Sequence, residues 1–275
     1  MQALRSLKSV LLALFVLIFV VWTLFPIVWM VVSSFKPDNA LFAFPPQLFF
    51  SPTGDHYAGL FGGGSNFVSY IQNSVVAAVS STIISIVLGT AAGYGLARSH
   101  FRGKADLSFW IISTRMAPIA AVILPLYLFY SKLHLLNTLL GLIIAYLTFS
   151  LPFAIWLMNA FFVDLPIALE EASKVDGATK WQTFWYVILP LSAPGVVTTA
   201  ILCFIFAWND YAFATTFGGP GSQTIPIAAA QLMTQSGIDW GKLMAIGTVT
   251  VLPMIFFGMV VRRWLVRGLT LGAVK

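Results

Sequence analysis

The sequence predicts an all-α polytopic membrane protein with six transmembrane helices, on three observations. Of 275 residues, 59% are hydrophobic and only 9% charged, whereas soluble domains carry about 25% charged residues. The apolar residues gather into long runs of roughly the 20 residues that one helical crossing needs. The runs are separated by short connections, and Lys and Arg concentrate in alternate ones. A chain so poor in charge cannot cover a globule of its own size with a wetted surface, which excludes a cytosolic enzyme.

Ser9 to Phe35 is an uncharged run of 27 positions between Lys8 and Lys36. It is longer than a signal-peptide core and has no A-x-A cleavage pattern beside it, so it reads as a retained first span, residues 9–35. The second span, 67–97, ends at Arg98 and carries Gly89 and Gly93 at the G-x-x-x-G spacing that permits close helix approach. The third, 107–130, is interrupted by Arg115 and Pro118. The fourth, 139–162, contains Pro152 as a kink that neighbouring helices must accommodate. The fifth, 191–213, carries Asp210, and the sixth covers 243–261.

Six spans leave both termini on one side of the membrane. With the termini in the cytoplasm, the inner connections hold 11 Lys and Arg and the outer ones 3, with Arg115 inside a span. This bias accounts for the formal charge of +6 without invoking a nucleic-acid partner. The outer connections, 36–66 and 214–241, have the Gly, Pro, Ser and Asn content of loops. No internal repeat or charge block marks a second domain, so the whole chain, 1–275, reads as one membrane domain.

The connection 163–190 is the polar exception. Asp164 is placed to cap a helix with Pro166 in its first turn, and Glu170 and Lys174 stand at i,i+4. Ala168, Ala172 and Val175 form a small apolar stripe facing away from the charges. Gly177 stops this helix, and Thr179 with Gln182 has the capping-box spacing that starts a second one, which Pro190 helps to close. A helix, a glycine break and another helix, projecting on the cytoplasmic side, suit docking of a partner protein better than a bare linker.

Glu171-Ala-Ser-Lys-Val-Asp-Gly-Ala178, with Phe184 and Leu189-Pro190 after it, resembles the E-A-A-x-x-D-G-A motif of the membrane subunits of ABC importers. Together with the whole-chain spacing and the tail Arg267-Gly-Leu-Thr-Leu-Gly-Ala-Val-Lys275, the chain resembles the carbohydrate-uptake permeases, on the side of the maltose-permease G subunit. The resemblance implies a type I ABC importer permease fold forming half of a translocation path in a bacterial or archaeal cell (inner) membrane. It implies that Glu170, Glu171, Ala172, Asp176, Gly177 and Ala178 couple to a separate ATPase, Ser173 replacing the second Ala of the motif. It implies partners: a second homologous permease, two ATPase subunits and an extracytoplasmic solute-binding protein that delivers a sugar-like substrate. By the same resemblance the tail reaches into the interface between the ATPases. No phosphate-binding loop G-x-x-x-x-G-K-[ST] occurs, so ATP and Mg belong to the partner ATPase and this chain is not an enzyme.

Arg115 and Asp210 are charges at membrane depth, where an ionised group is costly unless it faces a cavity or a partner. One reading makes Arg115, Trp208, Asn209, Asp210 and Tyr211 the lining of the permeation path, suited to a hydroxyl-rich ligand; the other makes them structural polar contacts. Arg115 would also suit an anionic sugar derivative. The remaining polar and aromatic residues carry no further chemistry: His56, His100 and His134 read as separate loop residues, single Cys203 has no partner for a disulfide, and Trp22, Trp110 and Trp208 suit interfacial positions. Rival functions are an ABC permease for a polyol, sugar derivative or glycerol-phosphate ester, an ion-driven secondary transporter, whose frequent inverted repeats are not detected in the sequence, and a structural membrane scaffold, which would leave the double-capped connection without a task.

Overall fold

The computed structural model describes residues 2–235 and 237–271, with side chains described for 8–235 and 237–259. It is built of helices. In chain order they are α1 (Gln2–Ser33), α2 (Asp38–Leu41), α3 (Asp55–Phe61), α4 (Phe67–Arg98), α5 (Lys104–Ser113), α6 (Ile119–Lys132) and α7 (Leu139–Asp164). There follow α8 (Ala168–Val175), α9 (Lys180–Thr183), a π turn (Phe184–Ile188), α10 (Leu189–Leu191), α11 (Ala193–Trp208), α12 (Ala212–Phe217) and α13 (Ile225–Gln231). A minimal hairpin, β1 (Met233–Thr234) with β2 (Gly237–Ile238), precedes α14 (Trp240–Leu271).

By length and composition, four helices can cross a membrane among the described residues, or up to six if each of two bent pairs is one span. The first bent pair joins Lys104–Met116 to Ile119–Lys132 at 92°. Its break holds Arg115 in a 3-10 turn and Pro118, which lacks a backbone donor and leads into α6. The second joins Lys180–Leu191 to Ala193–Trp208 at 71°. The apolar helix ends at Trp208, so Asn209, Asp210 and Tyr211 lie beyond it in the link to α12 rather than inside a span reaching 213.

Contacts gather the chain into two compact units. In the first (residues 1–68 and 228–253), the most apolar window of α1 contains no buried residue, as a helix solvated by lipid requires. The segment after α1 is more built than a loop. Lys36 is fully buried, with its ammonium 4.4 Å from the centre of the Trp29 ring and 5.4 Å from that of Phe50. His56, expected as a simple loop residue, is buried in α3 with its Nε2 2.8 Å from the Lys36 carbonyl oxygen. Gly241 packs against that imidazole so closely that a Cβ would fall 2.0 Å from His56 Cε1. Asp239 accepts from the Lys242 backbone N–H at 3.0 Å and its ammonium at 2.9 Å. Burial acts to raise the Asp239 pKa, but the Lys242 contacts prevail and hold it below the ordinary carboxylate value.

In the second unit (residues 69–227 and 254–275), α7 is the central post. Thr138 caps it, accepting from the Gly141 N–H at 3.0 Å. Gly89 and Gly93 lay α4 against it: a Cβ at Gly89 would stand 2.6 Å from the Ala154 Cβ, and one at Gly93 2.9 Å from the Asn159 nitrogen. Helix α11 packs along α7, with Gly195 closed over by Phe161 and the Cys203 thiol 3.6 Å from the Ser150 carbonyl. On α11 the threonine hydroxyls bond to carbonyls one turn back, Thr198 to Pro194 and Thr199 to Gly195. Trp208 stacks on Phe204 and is buried, whereas Trp22 and Trp110 are exposed.

Candidate functional site

The segment 168–191 is a packed body. Helix α8 ends at Gly177, whose φ of +82° lies in the left-handed region that glycine enters without strain. The capping box then starts α9: the Thr179 hydroxyl accepts from the Gln182 N–H at 3.3 Å, and the Gln182 side-chain oxygen accepts from the Thr179 N–H at 2.8 Å. Ser173 and Thr183 share a buried hydrogen bond that closes the angle between α8 and α9. Phe184 and Ile188, in the π turn, complete an apolar cluster with Ala97, Met158 and Phe162.

Three expectations for this segment are corrected. Asp164 does not cap α8, because α7 continues through it; Ile167 precedes α8 without a side-chain cap. Glu170 turns away from Lys174 and into the protein, where both its oxygens are engaged: Arg98 Nε donates to Oε1 at 2.5 Å and the Tyr94 hydroxyl to Oε2 at 3.1 Å. Finally, the apolar stripe is the exposed side of α8, with Val175 87% exposed and Ala168 and Ala172 open, while Glu170 and Ser173 are the buried residues. A carboxylate can take the inward position because it is paired and hydrogen-bonded there.

From the start of α8 to its glycine stop, the exposed residues are Ala168, Leu169, Glu171, Ala172, Lys174, Val175, Asp176 and Gly177. Ala178 is half-buried at the turn, its N–H donating to the Ser173 carbonyl at 3.0 Å. The helix thus exposes small and apolar residues beside the carboxylates of Glu171 and Asp176 and the ammonium of Lys174. The tail Arg267 to Lys275 lies outside the residues whose side chains are described.

The intramembrane polar residues separate into two sets. Arg115 and Asp210 line one cavity of about 150 Å³, together with Tyr146 and Ser150 of α7. The Arg115 guanidinium is held between Phe153 and Phe206, 4.3 and 4.2 Å from their ring centres, and its Nη1 is buried with no hydrogen-bond partner among the described residues. The Tyr146 hydroxyl is buried too, beside the Asp210 carboxylate. Asp210 Oδ2 accepts from the Phe213 and Ala214 N–H groups, both at 3.1 Å, so it also fixes the start of α12. Trp208, Asn209 and Tyr211 do not join the lining. Trp208 packs inward, Asn209 donates to the Ile205 carbonyl at 2.8 Å, and Tyr211 is exposed. Sequence reasoning missed Tyr146 and Ser150, whose polar groups on an apolar helix were the available signal.

Residues 85–271, which include α8 and this cavity, match the family model described as "Binding-protein-dependent transport system inner membrane component". The chain belongs to that family. It is a permease subunit, a membrane component of a transport system, as its apolar helices require. The chain is 38% identical to the trehalose transport system permease protein SugB of Mycobacterium tuberculosis, over 92% of this chain and 93% of that one. It is 31% identical to the trehalose/maltose transport system permease protein MalG of Thermococcus litoralis, over 98% of each. Its fold matches a chain in the crystal structure of a bacterial ABC transporter that imports the acidic polysaccharide alginate, with a TM-score of 0.74 and 24% identity, covering 94% of this chain and 96% of that one.

Proposed function

We propose that this permease is half of the translocation path of an ATP-binding-cassette sugar importer and is driven through α8 by a separate ATPase. The observation that carries the reading is the exposed face of α8, Glu171 to Gly177, presented on a segment tied internally by Ser173–Thr183 and packed onto α4 and α7. ATP binding closes the ATPase pair, the docked helix moves with it, and the membrane helices change which side of the path is open. ATP and Mg act on the ATPase; the other partners are a second permease and an extracytoplasmic solute-binding protein. A cytoplasmic location for α8 and both termini is supported by the Lys and Arg bias of the connections. The sugar class is supported by relatives named for trehalose and maltose transport.

The experiment that tests docking uses Val175→Cys, in a background where buried Cys203, the sole native cysteine, is replaced. Crosslinking in native membranes is expected to join the chain to a subunit that photolabels with an ATP analogue. A crosslinked partner that binds no nucleotide, or none at all, contradicts the reading.

The cavity supports direct contact with substrate by this subunit. Arg115 Nη1 is a buried donor with no acceptor among the described residues, and a hydroxyl of a sugar would satisfy it.

A further inference from the structure

We infer that Arg98 is the positioning residue that makes the coupling helix move as one body with the ends of two membrane helices. The inference rests on the reading of α8 as the coupling element, and it identifies what transmits the movement.

Arg98 is the last residue of α4, and its guanidinium reaches three places at once. Nε donates to Glu170 on α8, Nη1 to the Phe162 carbonyl at 2.7 Å, and Nη2 to the Leu165 carbonyl at 3.1 Å. The two carbonyls lie at the end of α7, where the last turn has acceptors but no following helical N–H groups. A cation there is favoured by the helix dipole as well. The far side of the Glu170 carboxylate is held by Tyr94, one turn back along α4, whose ring packs edge-on against Phe162 and tilted against Phe184. The Arg98 and Glu170 side chains are 16% and 9% exposed, so water competes weakly for this network.

The chain between α7 and α8 is only Leu165, Pro166 and Ile167. Left to itself this link is a hinge, and a pull on α8 would bend it before moving α7. The Arg98 fork crosses the hinge, fixing its first carbonyl, the end of α7 before it and α8 after it, and ties all three to α4. Lysine cannot do the same, because its ammonium is a single point rather than a planar fork. None of these groups faces the exposed side of α8 or the cavity at Arg115, so the network serves neither docking nor substrate contact.

The test reads movement rather than cargo. The chain is purified in nanodiscs with its ATPase and second permease, with Cys203 replaced and spin labels at Lys174→Cys on α8 and Val87→Cys on α4. In the otherwise unaltered chain the inter-label distance distribution is expected to be narrow and the same with and without ATP and vanadate. Arg98→Gln should broaden it about twofold and make it respond to nucleotide, with Arg98→Lys between, as expected when charge-assisted bonds are lost. Tyr94→Phe keeps the packed ring and removes one hydroxyl, so it should broaden the distribution slightly even if Arg98→Gln fails to fold. Variant distributions that match the parent, or a parent that already shifts with nucleotide, would overturn the inference. A parent that purifies without an ATPase but keeps a narrow distribution that Arg98→Gln broadens would sink the functional reading and leave the pin itself standing.

Discussion

Ser173 Oγ lies 2.8 Å from Thr183 Oγ1 in the buried angle between α8 and α9, and the same hydroxyl donates to the Glu170 carbonyl at 2.9 Å. The small residue that replaces the second alanine of the family motif is therefore a structural part, because it ties α8 to α9 at a fixed angle.

Ser173→Ala leaves the Thr183 hydroxyl buried without this partner, at a cost of about 1–3 kcal/mol. Thermal unfolding in detergent is expected to shift down accordingly. The double variant Ser173→Ala with Thr183→Val should lose less than the sum of the single changes, since it removes the orphaned group as well.

Gly177 has open space where a Cβ would stand but a positive φ, so the two consequences of substitution can be separated. Gly177→Ala forces a residue with a Cβ into the left-handed region, at about 1 kcal/mol. Gly177→Asn tolerates that backbone better but adds bulk to the exposed face. If the face docks, Asn should lower uptake per ATP hydrolysed more than Ala does, while lowering thermal stability less. The opposite order in both measurements contradicts the docking role.

Gly89→Ala should damage folding rather than transport alone. The added methyl meets the Ala154 Cβ at 2.6 Å, so α4 and α7 must part, an overpacking cost of about 1–3 kcal/mol. Size-exclusion profiles should show less folded protein, whereas Gly95→Ala, where a Cβ meets nothing within 4 Å, should match the parent.

Arg115→Lys and Arg115→Ala test the cavity. Lysine keeps the charge but cannot lie flat between Phe153 and Phe206, so both variants should raise the substrate concentration needed for half-maximal uptake, Ala by about tenfold. A loss confined to anionic sugars would assign Arg115 to recognition of a carboxylate or phosphate; equal losses for neutral and anionic sugars remove that preference.

The local features were legible in the sequence and the distant ones were not. Gly177 and the Thr179–Gln182 box depend on neighbours within one or two helical turns, so residue type and spacing sufficed to find them; the Gly89/Gly93 spacing marked a close helix approach but not its partner, Ala154 and Asn159 on α7. The inward turn of Glu170 depends on Arg98, 72 residues away, and without that partner an i,i+4 pairing with Lys174 was the simplest expectation. Asp164 failed as a cap because the apolar packing of α7 carries the helix past it, overriding a local preference. Pro118 marked an interruption, but not the 92° bend that brings Arg115 between two phenylalanines. Tyr146 and Ser150 became site residues only when the fold set them opposite Asp210.

The central claim is tested most directly by uptake of labelled trehalose and maltose into proteoliposomes that hold this chain, its second permease and its ATPase, with the solute-binding protein outside and ATP with Mg inside. Uptake is predicted to require internal ATP and to stop when the ATPase is omitted or when Val175→Trp blocks the exposed face of α8. Solute movement by this chain alone, indifferent to ATP and driven by an ion gradient, would contradict it.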